Sequence, residues 1–516
     1  MNLRQARAVV QMECKNMKYT ALLLTVGTWF AAAVGAQTNL THESYWNARQ
    51  ALDRAVEAYG GLAKLRSIDN FHLVAVGDTV HRNQSHKPFA FDKTPYRTDV
   101  KVDLKNARVL TKTEGGYPGG FSYHNGVLID KTDAVSFDHA RKTSVARSNV
   151  PPAALRFRYR WVPQYWILNA VDRASRLRYL GKTQFEGRPH LAVSYANEDG
   201  AENTLYFDER TALLSKFEGM ITDPYFGDSV AEMIFPGYRL ENGHQVATGR
   251  ITKTNGETTE DLRFEKLAFN AAFPDGTFKA PGGYTAVIFP APEPATKYAD
   301  NIYTVNAGGY NVLAVGFSDH VFVMESPGGD NASNQAIDQI KKLFPGKPIK
   351  YLAVTHHHDD HAGGIRRYIG EGVTLIALPG EKAFFERVAQ SKFTIDLDFL
   401  THNPRPIQIE TIKEGRRVLT DGKTTVELID IGPGGHTDEM LVAYLPAQKI
   451  IFQGDLLNRP ANNDPATIND TTVHFANWLE NSKLAVDRIL GVHGPPSTLE
   501  ELRRGVAEKR NATAKN

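Results

Sequence analysis

From Phe71 to about Phe278, apolar and polar residues alternate in short segments broken by turn residues, the two-residue period of half-buried strands. Phe71 to Val76, Val100 to Leu104 and His190 to Tyr195 are examples. Asp208-Glu209-Arg210-Thr211 connects Thr204 to Phe207 with Leu213 to Phe217 in the manner of a hairpin. Ahead of this stretch, Trp46, Ala51, Leu52, Ala55 and Tyr59 are spaced for one helical face. That predicts a helix from Ser44 to Ala58, stopped by Gly60-Gly61 and followed by a turn over Leu62 to Ser67. The first half is therefore expected to be mostly antiparallel sheet behind a leading helix.

A second rhythm follows a stiff segment marked by Pro281, Pro290, Pro292 and Pro294. From Tyr298 the pattern is mixed α/β. Strands are predicted at Ile302 to Val305, Asn311 to Phe317 and His320 to Met324, then a helix from Asn334 to Phe344 and a buried strand at Tyr351 to Thr355. Later strands are predicted at Thr424 to Asp430, Met440 to Leu445, Ile450 to Gln453 and Arg488 to Val492. A chain of 516 residues exceeds what one core usually serves. The expected layout is a β-rich domain over 40–285, a linker over 286–297 and an α/β domain over 298–510.

Composition changes little in this picture, because the apolar and charged fractions are those of ordinary globular proteins. A formal charge of +2 gives no reason to expect nucleic acid or an anionic membrane as partner. The N-terminus does add something. Lys15 and Lys18 precede the apolar run Ala21 to Ala33, and Val34-Gly35-Ala36 follows, the arrangement of a secretory signal peptide. The run is shorter than the ~20 residues of a membrane span. The expectation is a signal over 1–36, with the true start possible at Met17, and a periplasmic or secreted product with no stable span after cleavage. Cys14, the only cysteine, precedes the expected cut, so the mature chain has no thiolate to serve as ligand or nucleophile.

The chemistry concentrates at His356-His357-His358-Asp359-Asp360-His361, directly after the strand Tyr351 to Thr355. Imidazole and carboxylate are the usual nitrogen and oxygen ligands of zinc and similar ions. In extended backbone His356 and His358 project to one side, and a turn after Asp359 brings Asp360 and His361 to a second position nearby. The segment thus reads as two half-sites for two metals. His436, Asp455 and His493 each lie shortly after a later predicted strand, beside glycines that let the backbone turn sharply.

With Thr355-His356-His357-His358-Asp359-Asp360-His361-Ala362-Gly363-Gly364, Gly435-His436-Thr437, Gly454-Asp455 and His493-Gly494 in this order, the chain resembles the metallo-β-lactamase fold superfamily over roughly 298–510. The resemblance implies an αββα sandwich. It also implies a first metal on His356, His358 and His436, a second on Asp360, His361 and His493, and Asp455 as the bridge. Two divalent ions, Zn2+ before Fe or Mn, would lower the pKa of a bound water from 15.7 to about 7 and polarise a carbonyl. Asp360 would orient the hydroxide and pass a proton to the leaving group, as the resemblance implies.

An aspartate at the bridge looks more like the glyoxalase II, lactonase and phosphodiesterase branches than the class B β-lactamases that use cysteine there. Flavodiiron proteins carry glutamate where this chain has His358. Asn458 is a candidate substrate contact. His357 and Asp359 face away from the ligands, and Arg459, Asn462, Asn463 and Asp464 flank the site. His320, His474 and the group Tyr159, Trp161, Tyr165 and Trp166 are expected to be structural. The expected function is cleavage of a carboxylic ester or lactone in a small molecule by a metal-bound hydroxide. The alternatives are a β-lactam or other amide hydrolase, an iron-dependent sulfur dioxygenase-like oxidoreductase, and a periplasmic carrier with a structural metal domain. The helix-then-curved-sheet order of the first half resembles the lipoprotein-carrier type of periplasmic domain. Oligomeric state is not legible.

Overall fold

The computed structural model describes residues 39–197, 200–288, 291, 293–460 and 466–513, so the signal-like segment and Asn462, Asn463 and Asp464 lie outside the described residues. The alternating first half folds as expected into sheet. Asn70–His81 pairs antiparallel with Asp92–Asp103 on one side and with Glu257–Phe269 on the other. Successive hairpins carry the sheet from there through Arg108–Tyr117, Phe121–Asp130, Asp133–Asp138 and Thr143–Arg147. On the far side it runs through Gly249–Thr254, Gly227–Ile234, Leu214–Asp223, Glu202–Asp208, Arg188–Ala196 and Arg178–Phe185. Inward residues such as Phe71, Leu73, Ala75, Val100 and Val102 alternate with less buried ones and join one core.

Helix Leu40–Ala58 packs on that core through Ala48, Ala51, Leu52 and Ala55, with Tyr59 just beyond its end. Trp46 departs from the expected face. It lies two residues before Ala48, about 200° around the helix, and donates its indole N–H to His42 at 2.7 Å on the solvent side. Two helices, Pro152–Tyr159 and Pro163–Asp172, interrupt the stretch expected to be continuous sheet. Proline at the first helical position suits both, since its fixed φ matches the helix and its missing N–H is not needed there. They bring Trp161 and Trp166 into the core, in the structural role expected of them.

The sheet changes hands between Ala286, whose strand still pairs with Thr143–Arg147, and Ala295, whose strand Ala295–Ala299 opens the next sheet. The C-terminal part is a four-layer αββα sandwich. One sheet runs from Ala295–Ala299 through Ile302–Ala307, Tyr310–Gly316, Val321–Met324, Ile349–Ala353 and Thr374–Ala377 to Gln408–Thr411, and the other spans Arg416–Thr498. Leu313, Val315, Phe322, Met324 and Ile376 of the first meet Val426, Leu428, Leu441, Ala443, Phe452 and Leu490 of the second in a dry interior layer. Helices Gly329–Leu343, Ile365–Glu371 and Lys382–Gln390 cover the outer face of the first sheet. Asp470–Ser482 and Leu499–Thr513 cover the second. Among the described residues no helix is long and apolar enough to cross a membrane.

Residues 41–516 form one compact unit, and three turns of the N-terminal sheet reach into the sandwich. In the loop after His81, His86 O accepts from Asp438 N at 2.7 Å and the Phe89 ring meets Phe384. The hairpin tip Tyr117–Phe121 accepts at Gly119 O from Thr471 Oγ1 at 3.0 Å. In the turn after Asp223, Tyr225 is fully buried and donates to His357 O at 2.6 Å, while Asp228 accepts from Thr394 N and Ile395 N.

Candidate metal centre

All seven ligand candidates converge at the strand ends of the sandwich, in two groups whose ligand atoms lie within 4.8 Å of one another. His356, His358, His436 and Asp455 make the first. Asp360, His361, Asp455 and His493 make the second, and Asp455 belongs to both. The local backbone explains the split. The expected extended run is not found: the chain bends over Thr355, His356 and His357, returns to extended backbone at His358, and the short helix Asp359–Ala362 then turns Asp360 and His361 toward the second position. Glycines allow the close approach of the other loops. A Cβ at Gly454 would lie 2.5 Å from Thr355 Oγ1 and 3.3 Å from His356 Nδ1, and one at Gly494 (φ +79°) would meet Arg459 O at 1.8 Å.

In the first group His356 Nε2 lies 2.8 Å from His358 Nδ1 and 3.2 Å from His436 Nε2, which is 3.1 Å from Asp455 Oδ2. In the second, His361 Nε2 is 3.2 Å from Asp455 Oδ2 and 3.6 Å from Asp360 Oδ2. His493 Nε2 is 3.1 Å from Asp455 Oδ1, 3.4 Å from Asp360 Oδ2 and 3.4 Å from His361 Nε2. Nitrogen and oxygen donors at about 2.0–2.2 Å from a tetrahedral zinc ion lie about 3.3–3.6 Å apart. The second group matches that spacing closely, and the first is drawn slightly tighter.

The charge balance fits cations equally well. Burial lifts the Asp455 carboxyl, but His361 and His493 outweigh burial and hold it well below the usual range. Burial pulls His361 down, and Asp360, Asp455 and Glu325 overcome it and raise it well above an ordinary imidazole. His493 is likewise pushed up to about 9 by Asp455 and Asp360 against its burial. His356 and His358 are driven well down, first by burial and then by the neighbouring imidazoles. Carboxylates kept ionised in a buried pocket draw positive charge toward the second group, while the neutral imidazoles of the first offer lone pairs. Both conditions suit divalent ions.

Four of the five imidazoles are also fixed from behind. His356 Nδ1 meets Thr355 Oγ1 at 3.1 Å, and His361 Nδ1 donates to Glu325 Oε2 at 2.9 Å. Glu325 is fully buried, takes Thr355 N on Oε1 at 2.6 Å and sits at φ +89°, a strained setting for a side chain other than glycine. Glu325 was missed in the sequence; its signal is an acidic residue just past the strand Val321–Met324, at the same sheet edge as the ligands. His358 Nε2 donates to Ser85 O at 2.8 Å and His436 Nδ1 to Pro118 O at 3.3 Å. Nothing in the residue types at 85 or 118 marks them.

A cavity of about 490 Å³ opens over the centre, within the size range of small-molecule sites. Gln84, Tyr117 and Phe121 of the N-terminal sheet form one wall; Tyr310, Asn458 and His493 form the other. Asn458 donates one amide hydrogen to Asp455 Oδ1 at 3.1 Å, so it steadies the shared carboxylate. His357 is buried with no ring nitrogen on the ligand atoms, and burial pushes it down to about 3. Asp359, expected to face away, instead lines the cavity beside Asp360; Gln84 Nε2 donates to both, at 2.5 and 2.9 Å, and burial with the Asp360 charge pushes Asp359 up to about 6. Arg459 turns to Pro496 O and Glu501, away from the centre. His320 stacks on Phe317, and His474 lies beneath Gly434, both apart from the ligands.

Residues 327–492 match the family described as the metallo-beta-lactamase superfamily. A metallo-beta-lactamase type 2 of Elizabethkingia meningoseptica is 25% identical over 223 residues, covering 42% of this chain and 73% of that protein. A metallo-beta-lactamase from Pontibacter korlensis aligns in structure at 20% identity and a TM-score of 0.32, over 42% of this chain and 98% of its own. DIM-1 metallo-beta-lactamase aligns at 22% identity and a TM-score of 0.32, over 42% and 97%. Residues 327–492 thus resemble the metallo-β-lactamase superfamily, in accord with the αββα sandwich and the two donor groups found there.

Proposed function

We propose that this chain is an exported hydrolase that cleaves a carboxylic ester or lactone at a binuclear centre, with zinc the first choice of ion. The observation that carries the reading is the pair of complete donor groups sharing Asp455 beneath an open cavity. Two divalent ions held there supply Lewis acidity, acidifying a water toward a pKa of about 7 and polarising a substrate carbonyl. The chain's own residues do the rest. Asp360 lines the cavity as a carboxylate, its carboxyl held well below the usual range by His361 and His493 against burial, and we assign it the proton of the attacking water. It then returns that proton to the departing oxygen. We assign the second amide hydrogen of Asn458, which lines the cavity, to a substrate carbonyl, and the rings of Tyr117, Phe121 and Tyr310 to its apolar part. Export rests on the basic and apolar segment before Gln37, which lies outside the described residues.

A second reading, hydrolysis of a β-lactam or another amide, is favoured by the type of the curated relative. Asp455 at the bridge, in place of cysteine, favours the oxygen ester. Metal analysis of the purified protein followed by a panel of esters, lactones and β-lactams separates the two. Asp360→Ala should lower kcat/KM on the best substrate by at least about 10²-fold. A variant with full activity removes this mechanism, and faster opening of β-lactams than of esters selects the second reading. Bound iron with oxygen consumption would turn the assignment to a dioxygenase.

A further inference from the structure

We propose that the N-terminal sheet is part of the metal centre itself, its main-chain carbonyls at Ser85 and Pro118 acting as positioning groups for His358 and His436. The inference rests on the binuclear reading above. A ring nitrogen that faces a cation carries no hydrogen, so the opposite nitrogen carries it and needs an acceptor. His358 turns Nδ1 to the donor cluster and Nε2 to Ser85 O at 2.8 Å. His436 turns Nε2 inward and Nδ1 to Pro118 O at 3.3 Å. Two of the three imidazoles of the first group thus depend on the other sheet. His356 and His361 do not, because Thr355 and Glu325 serve them from within the sandwich.

Water cannot easily replace these acceptors, since His358 is 0% and His436 3% exposed. The carbonyls are held from both sides. Ser85 Oγ lies against His81 O and Ala90 O, donates to His81 O, the nearer of the two, and accepts from Asp92 N at 3.0 Å, while the next residue's carbonyl takes Asp438 N. Gly119 O, one residue past Pro118, takes Thr471 Oγ1. The approach at Gly119 is close: at φ +89°, a Cβ there would lie 2.9 Å from His436 Cα and 3.0 Å from Thr471 Oγ1. A side chain at 119 therefore drives the solvent-side hairpin tip away from His436.

The test is zinc binding to the full-length chain by competition with a chromophoric chelator, alongside thermal melting of the metal-free protein. Wild type should take up two zinc ions in two tight steps. In Gly119→Val one step should weaken about 10–100-fold while the other stays within about twofold, and that split supports the proposal even where the strain at φ +89° lowers the metal-free melt. Thr471→Val, which removes the hydroxyl that anchors the tip, should weaken the same step by less, and it decides the matter if Gly119→Val does not fold. Both steps within twofold of wild type in the folded variants would overturn the proposal. So would equal weakening of both steps together with a lowered metal-free melt, the mark of a general folding defect. A wild-type protein that binds no zinc would instead sink the binuclear reading, which is a different outcome.

Discussion

Two glutamates show how differently one residue type behaves inside this sandwich. Glu325 is satisfied by Thr355 N and His361 and belongs to the centre. Glu381 is equally buried, yet neither carboxylate oxygen has a hydrogen-bond partner among the described residues. Burial first, then the charges of Glu439, Asp430 and Glu325, lift it well above the usual carboxyl range. The nearest basic group, His357 Nδ1, lies 4.0 Å away and is itself held neutral. A carboxyl with a raised folded pKa binds its proton better in the folded state. Its contribution is complete below about pH 4 and is lost as pH rises toward the folded value. Glu381→Gln, which mimics the protonated form, should match wild type near pH 4 and be the more stable protein at pH 8. Urea melts at the two pH values check this, and an equal effect at both would contradict it.

The seven ligand candidates that the fold gathers into two groups were legible because their chemistry is written in their side chains and their order along the chain. The acceptors behind them were not. Ser85 O and Pro118 O are main-chain atoms, and His358 finds its partner 273 residues earlier in the chain. Strand existence was read well wherever a two-residue alternation ran beside turn residues, as from Phe71 to Val76. The helices Pro152–Tyr159 and Pro163–Asp172 escaped because tertiary packing of Trp161 and Trp166, rather than a long amphipathic pattern, decides them. The turn between Leu214–Asp223 and Gly227–Ile234 was equally silent, although it anchors the two halves. Tyr225 there donates to the carbonyl of His357, in the midst of the ligand loop. Tyr225→Phe keeps the packing and removes that bond, so it should cost about 1 kcal/mol in denaturant unfolding with zinc content unchanged. A loss near zero would mean that the contact is only geometric.

At the scale of the molecule, ions that bind only the folded chain add stability by mass action. At free zinc 100-fold above a site's Kd the gain is about 2.7 kcal/mol for that site. Removing metal with EDTA should therefore lower the melting temperature, and readdition of zinc should restore it; calorimetry reads both, and an unchanged melt would argue against ions at these donors. Because residues 41–516 form one compact unit, the N-terminal sheet and the sandwich should melt together rather than in two waves.

The hairpin tip at Pro118 also fixes an order of events during biogenesis. Its half of the chain is synthesised first, yet the imidazole it orients lies more than three hundred residues later, and His493 follows later still. A nascent polypeptide therefore owns scattered imidazoles but no finished receptacle. An ion that needs all seven donors can enter only after the last of them has been made.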